Sequence, residues 1–123
     1  MLHSGKIANI QQAIESKAPS VASFQREHGR QFNEGLLTFW LLYLIKVLNL
    51  NKPISKEQMN LCSSMVVEEF YMLKISDLTL LFKRIISGQY GEFYERLSIY
   101  KILTFFRTYL DERFELAADN SIR

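Results

Sequence analysis

Catalysis and metal binding need side chains that can ligate, attack or carry a proton, held at a workable spacing. In this chain the soft or imidazole ligands are His3, His28 and Cys62. None stands three or four residues from another, the spacing that would put two ligands on one helix face. No metal site and no cofactor is therefore expected. Cys62 falls in the apolar phase of its segment, where a thiol behaves as a small hydrophobe and not as a nucleophilic thiolate. Glu68 and Glu69 are adjacent on a helical stretch, so they point about 100° apart and share no site. Glu92 and Glu95 could approach each other in a loop, which makes a surface pair. Neither a G-x-S-x-G, nor a Ser/His/Asp cluster, nor a P-loop can be written. The chain reads as a non-enzyme.

Binding signals are more promising. Gly88-Gln89-Tyr90-Gly91 has the G-x-x-G form that clamps a nucleic-acid backbone in KH domains, but that fold needs a sheet and the inner residues are not basic. Gly88 is better read as a helix stop and Gly91 as a turn residue. Residues 65–87 have the outline of a helix-turn-helix, with Thr79, Lys83, Arg84 and Ser87 on the expected outer face of the second helix. Thr79, Lys83 and Arg84 are thus candidate nucleic-acid contacts. Asp77 and Thr79 near the start of that helix offer few base-reading groups, and a solvated face is the plainer reading. The most unusual segment is Gln89 to Arg96, QYGEFYER, with three aromatics in a glycine-bearing loop flanked by charge. Tyr and Arg are favoured interface anchors. Gln89, Tyr90, Glu92, Tyr94 and Arg96 are the candidate partner-binding residues, with Tyr90, Tyr94 and Arg96 expected to be partly exposed and close together. The alternative is that Tyr90, Phe93 and Tyr94 turn inward and plug the end of a bundle.

The elements that must position these residues are helices. The chain has 123 residues, 48% hydrophobic, with a formal charge of +2, which suits one globular domain and excludes a disordered or strongly basic chain. One cysteine excludes a disulfide framework and fits a reducing compartment. The amino terminus lacks a signal-peptide core. The most apolar run, Leu36 to Ile45, lies between Glu34 and Lys46 and is too short to span a bilayer, so a cytoplasmic protein without a membrane partner is expected.

Helical periodicity runs almost throughout. Ile7, Ile10 and Ile14 mark a first, peripheral helix from about Ser4 to Lys17. Ser20 can cap a short second helix that Gly29 ends. A third, from about Gln31 to Leu48, is apolar nearly all round in its second half, which predicts a central position. Ser55 and Gln58 form a capping-box pattern for a fourth helix that reaches about Leu73, with Met59, Cys62, Val66, Phe70 and Leu73 on one face. Ser76 is the expected cap of a fifth, ended by Gly88. Ser98 is the cap of a sixth, whose core stripe is Ile99, Ile102, Leu103, Phe106, Leu110 and Phe114 and which frays from about residue 119. The expected fold is an all-α bundle of five or six helices around the helix of residues 31–48, with Trp40, Leu41, Leu44, Phe82, Leu103 and Phe106 buried together.

The segments EEFYMLKISDL (68–78), LFKR (81–84), SGQYGEFYERL (87–97) and FRTYLDER (106–113) resemble small all-helical proteins of Bacteroidetes phages and mobile elements. The similarity covers roughly residues 31–115, and the aromatic G-x-Y-G-x-x-Y loop is its most specific part. Members of that group look distantly like helical accessory proteins of phage DNA replication such as helicase loaders. The resemblance therefore implies an interaction module in the host cytoplasm, contacting a protein of the replication machinery or another copy of itself. Without a P-loop it is not an ATP-driven loader. A virion or cargo assembly component and a small DNA-binding regulator are the alternatives. A symmetric oligomer would favour the former, and salt-dependent duplex binding the latter.

Overall fold

The computed structural model describes residues 7–49, 54–91 and 97–122. Within them six helices follow in order: α1 (Ile10–Glu15), α2 (Val21–His28), α3 (Arg30–Leu48), α4 (Lys56–Glu69), α5 (Ile75–Ile86) and α6 (Ile99–Ile122). The described residues contain no strand, and the fold is an all-α bundle.

Local chemistry sets most boundaries. The Ser20 hydroxyl accepts the Ser23 N–H, and Gly29, at φ 91°, closes α2 and opens α3. Ser55 and Gln58 form the reciprocal capping box at the start of α4, and the Ser98 hydroxyl accepts the Lys101 N–H at 3.1 Å in α6. Gly88, at φ 81°, follows the end of α5.

Several boundaries differ from the sequence pattern. The first helix begins at Ile10, because Asn9 caps it through Gln12, and ends before Ser16. Nor is this segment peripheral. Ile7, Ile10 and Ala13 are buried, the Ser76 hydroxyl donates to the Ala13 carbonyl, and the Lys74 ammonium donates to the Ile14 and Ser16 carbonyls at 2.6 and 2.7 Å. A cation thus closes the α1 carboxyl end. Ser76 is consequently not the cap of α5. Lys74 holds that position, and its N–H donates to the Asp77 carboxylate at 2.8 Å. The helix of residues 56–69 stops at Phe70, short of Leu73. Residues 71–74 form a turn whose carbonyls are taken by α2: the Val21 N–H donates to Leu73 and the Ala22 N–H to Tyr71. The carboxyl-terminal helix extends past the end expected near residue 118. α6 runs on to Ile122, and Asn120 donates to Gln11 at 2.7 Å.

The expected core is present. Trp40, Leu41, Leu44, Phe82, Leu103 and Phe106 are all buried, with the Trp40 and Phe82 rings stacked at 5.0 Å and Phe106 edge-on to Phe82. α3 packs on α2, α4 and α5, and α5 is the most enclosed helix. Leu78, Leu80, Leu81, Phe82 and Ile85 of α5 are enclosed, and α1, α3 and α6 all pack on it. α3 covers the core with Leu37, Trp40, Leu41 and Leu44 and turns its opposite side to solvent. In α6 the stripe shifts: Phe105 and Tyr109 are buried where Phe114 is exposed. Among the described residues no helix is long and apolar enough to cross a membrane.

Candidate functional site

The G-x-x-G turn follows α5. Gln89 is exposed, whereas Tyr90 is half-buried, its ring stacked on Phe105 at 5.5 Å and its hydroxyl 3.4 Å from the Arg84 guanidinium. Burial pushes the Tyr90 phenol up, and the Arg84 charge opposes that shift. Tyr90 is thus partly exposed, as the interface reading expects, with one side of its ring packed on Phe105. Glu92, Tyr94 and Arg96 lie outside the described residues, as do Phe93 and Glu95.

The candidate nucleic-acid contacts are not a common exposed face. Thr79 is buried, and its hydroxyl donates to the Ile75 carbonyl. The reason is that α5 is enclosed on three sides, so a position polar in the sequence pattern still faces a neighbour. Lys83 is exposed along its length, but its ammonium donates to the Ile7 carbonyl at 3.1 Å. Arg84 is largely covered and pairs with Glu112 at 2.9 Å. Its guanidinium also lies 5.5 Å from the centre of the Tyr109 ring.

Next to Arg84 lies the most concentrated polar chemistry of the described residues. Asp77 is fully buried. Its Oδ1 accepts the Tyr109 hydroxyl at 2.6 Å and Arg113 Nε at 3.2 Å, and its Oδ2 accepts Arg113 Nε at 3.1 Å and the Lys74 N–H. Burial, and then the Asp77 charge, push the Tyr109 phenol far up, so it remains a donor at any ordinary pH. A buried carboxylate held by three donors, one of them a cation, is a satisfied structural group. Cys62 is also enclosed, and burial pushes its thiol up to about 11. No group of three His, Cys, Asp or Glu among the described residues is placed to hold a metal ion.

The outer side of α3 is different. Phe32, Phe39, Leu42, Tyr43 and Val47 are 61, 53, 49, 47 and 44% exposed, at the i, i+3, i+4 and i+7 spacings of one helix face. Phe32 belongs to a three-ring cluster with Phe24 and His28, at centroid distances of 4.5 to 5.8 Å. The Tyr43 ring stands edge-on to buried Trp40 at 6.1 Å, which holds it in place. Two shallow grooves meet at Gly35, one beside His28, Phe32 and Leu36, the other beside Phe39, Leu42 and Asn60. A monomer seldom leaves so many large apolar side chains in one row. This face carries the outline of an interaction site: fixed aromatic anchors around a small-residue notch. The signal was present in the sequence as a helix apolar nearly all round. Full burial explains that pattern as well as two opposed apolar faces do, so the pattern alone does not separate them.

Compared with known proteins, the chain matches no family model, no curated protein and no solved structure.

Proposed function

We propose that the protein is a non-enzymatic protein–protein interaction module that binds through the outer face of α3. The observation that carries this reading is the row of exposed apolar side chains from Phe32 to Val47 on a helix whose other face is already packed. Burying such a row would remove water from apolar surface without disturbing the core, because Leu37, Trp40, Leu41 and Leu44 hold α3 from the opposite side. What supports a setting in the replication of a phage or mobile element is the resemblance over residues 31–115. The Gln89–Arg96 loop is a second contact in this proposal, and its Tyr94 and Arg96 are the residues to test.

The DNA-binding alternative has less to rest on. Thr79 and Asp77 are buried, and Arg84 is engaged by Glu112. A duplex contact would need cations free to meet phosphates.

Affinity capture with three baits tests the proposal: the wild-type chain, Phe39→Glu, and the double variant Tyr94→Ala with Arg96→Ala. A protein retained by the wild type and lost from Phe39→Glu is the expected result. Loss confined to the loop variant would move the site to residues 89–96. Tight duplex DNA binding that falls steeply with salt, and that is unchanged by Phe39→Glu, would overturn the interaction reading.

A further inference from the structure

We infer that the outer face of α3 pairs with the same face of a second copy of this chain, the two α3 helices running antiparallel across a two-fold axis near Phe39. This inference rests on reading that face as an interaction surface, and it names the partner.

The first argument is shape. Along the seam, bulk and space are unequally distributed. Gly35 leaves a gap one turn before Phe39, and a Cβ built there meets nothing within 4 Å. Tyr43 projects one turn after Phe39 and is braced by Trp40. A two-fold axis near Phe39 exchanges these turns, so the Tyr43 ring of each copy lies over the Gly35 notch of the other. A parallel pairing would set Tyr43 against Tyr43 and leave both notches empty. Isologous contacts of this kind need a surface complementary to itself, which this seam supplies.

The second argument is charge. The amino-terminal end of the seam carries the Phe24, His28 and Phe32 rings, and the carboxyl-terminal end carries exposed Lys46. Antiparallel pairing brings each Lys46 to the other copy's ring cluster, where an ammonium is attracted to an aromatic face. Parallel pairing would place the two Lys46 charges side by side. The cation at the amino-terminal end, Arg30, is already held by Glu34 and Glu68, each at 2.6 Å, so it does not repel the incoming lysine.

The third argument is area. The exposed parts of Phe32, Phe39, Leu42, Tyr43 and Val47 amount to roughly 500 Å² of mostly apolar surface. With Gly35, Leu36 and the Lys46 stem the patch reaches roughly 600 Å² per copy, the size of a small two-fold interface and below the ~800 Å² per partner of the standard class.

Sedimentation equilibrium and light scattering on the full chain, across a concentration series, test the inference. The expected species is a dimer of about 29 kDa, twice the 14.5 kDa chain. Phe39→Glu should give a monomer with unchanged helical circular dichroism. Gly35→Ala is the sharper variant. It removes a mid-helix glycine where the new methyl meets no neighbour, so the monomer should melt higher. It also fills the notch, so the dimer should dissociate at least ~10-fold more readily. Opposite movements of monomer stability and dimer affinity are not produced by a merely structural residue. A mixture of Phe32→Cys and Lys46→Cys chains should cross-link to a dimer, whereas Phe32→Cys chains alone should not. A wild-type chain that stays at 14.5 kDa up to high concentration overturns the inference, as does a dimer indifferent to both Phe39→Glu and Gly35→Ala. If a monomeric wild type still loses a captured protein on Phe39→Glu, the second copy is the wrong partner and the interaction surface stands.

Discussion

The Asp77 carboxylate accepts bonds from Tyr109, Arg113 and the Lys74 backbone, so removing a partner leaves a buried charge with fewer donors. Arg113→Leu takes away the one cation in contact with that carboxylate among the described residues. It should cost about 3–5 kcal/mol in a urea melt, the range for breaking a buried pair from one side. Tyr109→Phe keeps the ring and the charge pair and removes one hydrogen bond, for about 1–3 kcal/mol. The variant Asp77→Leu with Arg113→Leu and Tyr109→Phe removes the charge pair together with the hydroxyl that Asp77 accepts, and leaves the Lys74 N–H as the one donor without its acceptor. It should be more stable than Arg113→Leu with Tyr109→Phe, which keeps the unpaired carboxylate; equal melts would show that the buried charge is not what makes Arg113→Leu costly. The sequence made Asp77 visible as an acidic residue in the first turn of α5. It could not show that Tyr109 and Arg113, 32 and 36 residues onward, would enclose it.

Among the elements, α3 and α5 each pack on three other helices, α3 on α2, α4 and α5, and α5 on α1, α3 and α6. They differ in enclosure: most of α5 is buried, whereas α3 keeps one apolar side exposed. On its packed face Trp40 lies flat on Phe82, and Trp40→Ala should cost about 3–5 kcal/mol by opening a cavity where two helices meet. On its outer face, Phe39→Glu should change monomer stability by less than about 0.5 kcal/mol, as surface substitutions do. Denaturant melts of the two variants at a concentration that keeps the chain monomeric compare the faces directly. Equal losses would mean that α3 has no free side. Caps behave more locally. Ser55→Ala removes one arm of the capping box and should cost about 1 kcal/mol, a value legible in the sequence because the partners Ser55 and Gln58 are three residues apart.

For the whole molecule, alkaline pH is the informative axis. Burial raises the Cys62 thiol from its ordinary 9.0 to about 11, and Tyr109 moves in the same direction. The unfolded chain then releases these protons at lower pH than the folded one. Stability from Cys62 is therefore complete below about pH 9 and is lost as pH rises toward 11, by on the order of 2 kcal/mol. Melting temperatures should fall through that window, and Cys62→Ala should flatten the fall while lowering the plateau. The same burial predicts that Cys62 resists thiol reagents at neutral pH until the chain unfolds. If the α3 seam pairs two copies, melting temperatures will also rise with protein concentration at every pH, because association stabilises the folded form by mass action.

Helical class, the caps at Ser20, Ser55 and Ser98, and the burial of Trp40, Leu41, Leu44, Phe82, Leu103 and Phe106 are determined by the amino-acid order. The signals behind them are short-range: an apolar residue every three or four positions, and a hydroxyl within reach of an N–H two or three residues on. Tertiary structure decided the rest. It enclosed Thr79, made Lys74 and not Ser76 the cap of α5, turned Tyr90 onto Phe105, and left one of the two apolar sides of α3 in water. Periodicity records that a face is apolar. Which apolar faces are covered depends on how many neighbours arrive, and those neighbours lie far away along the chain.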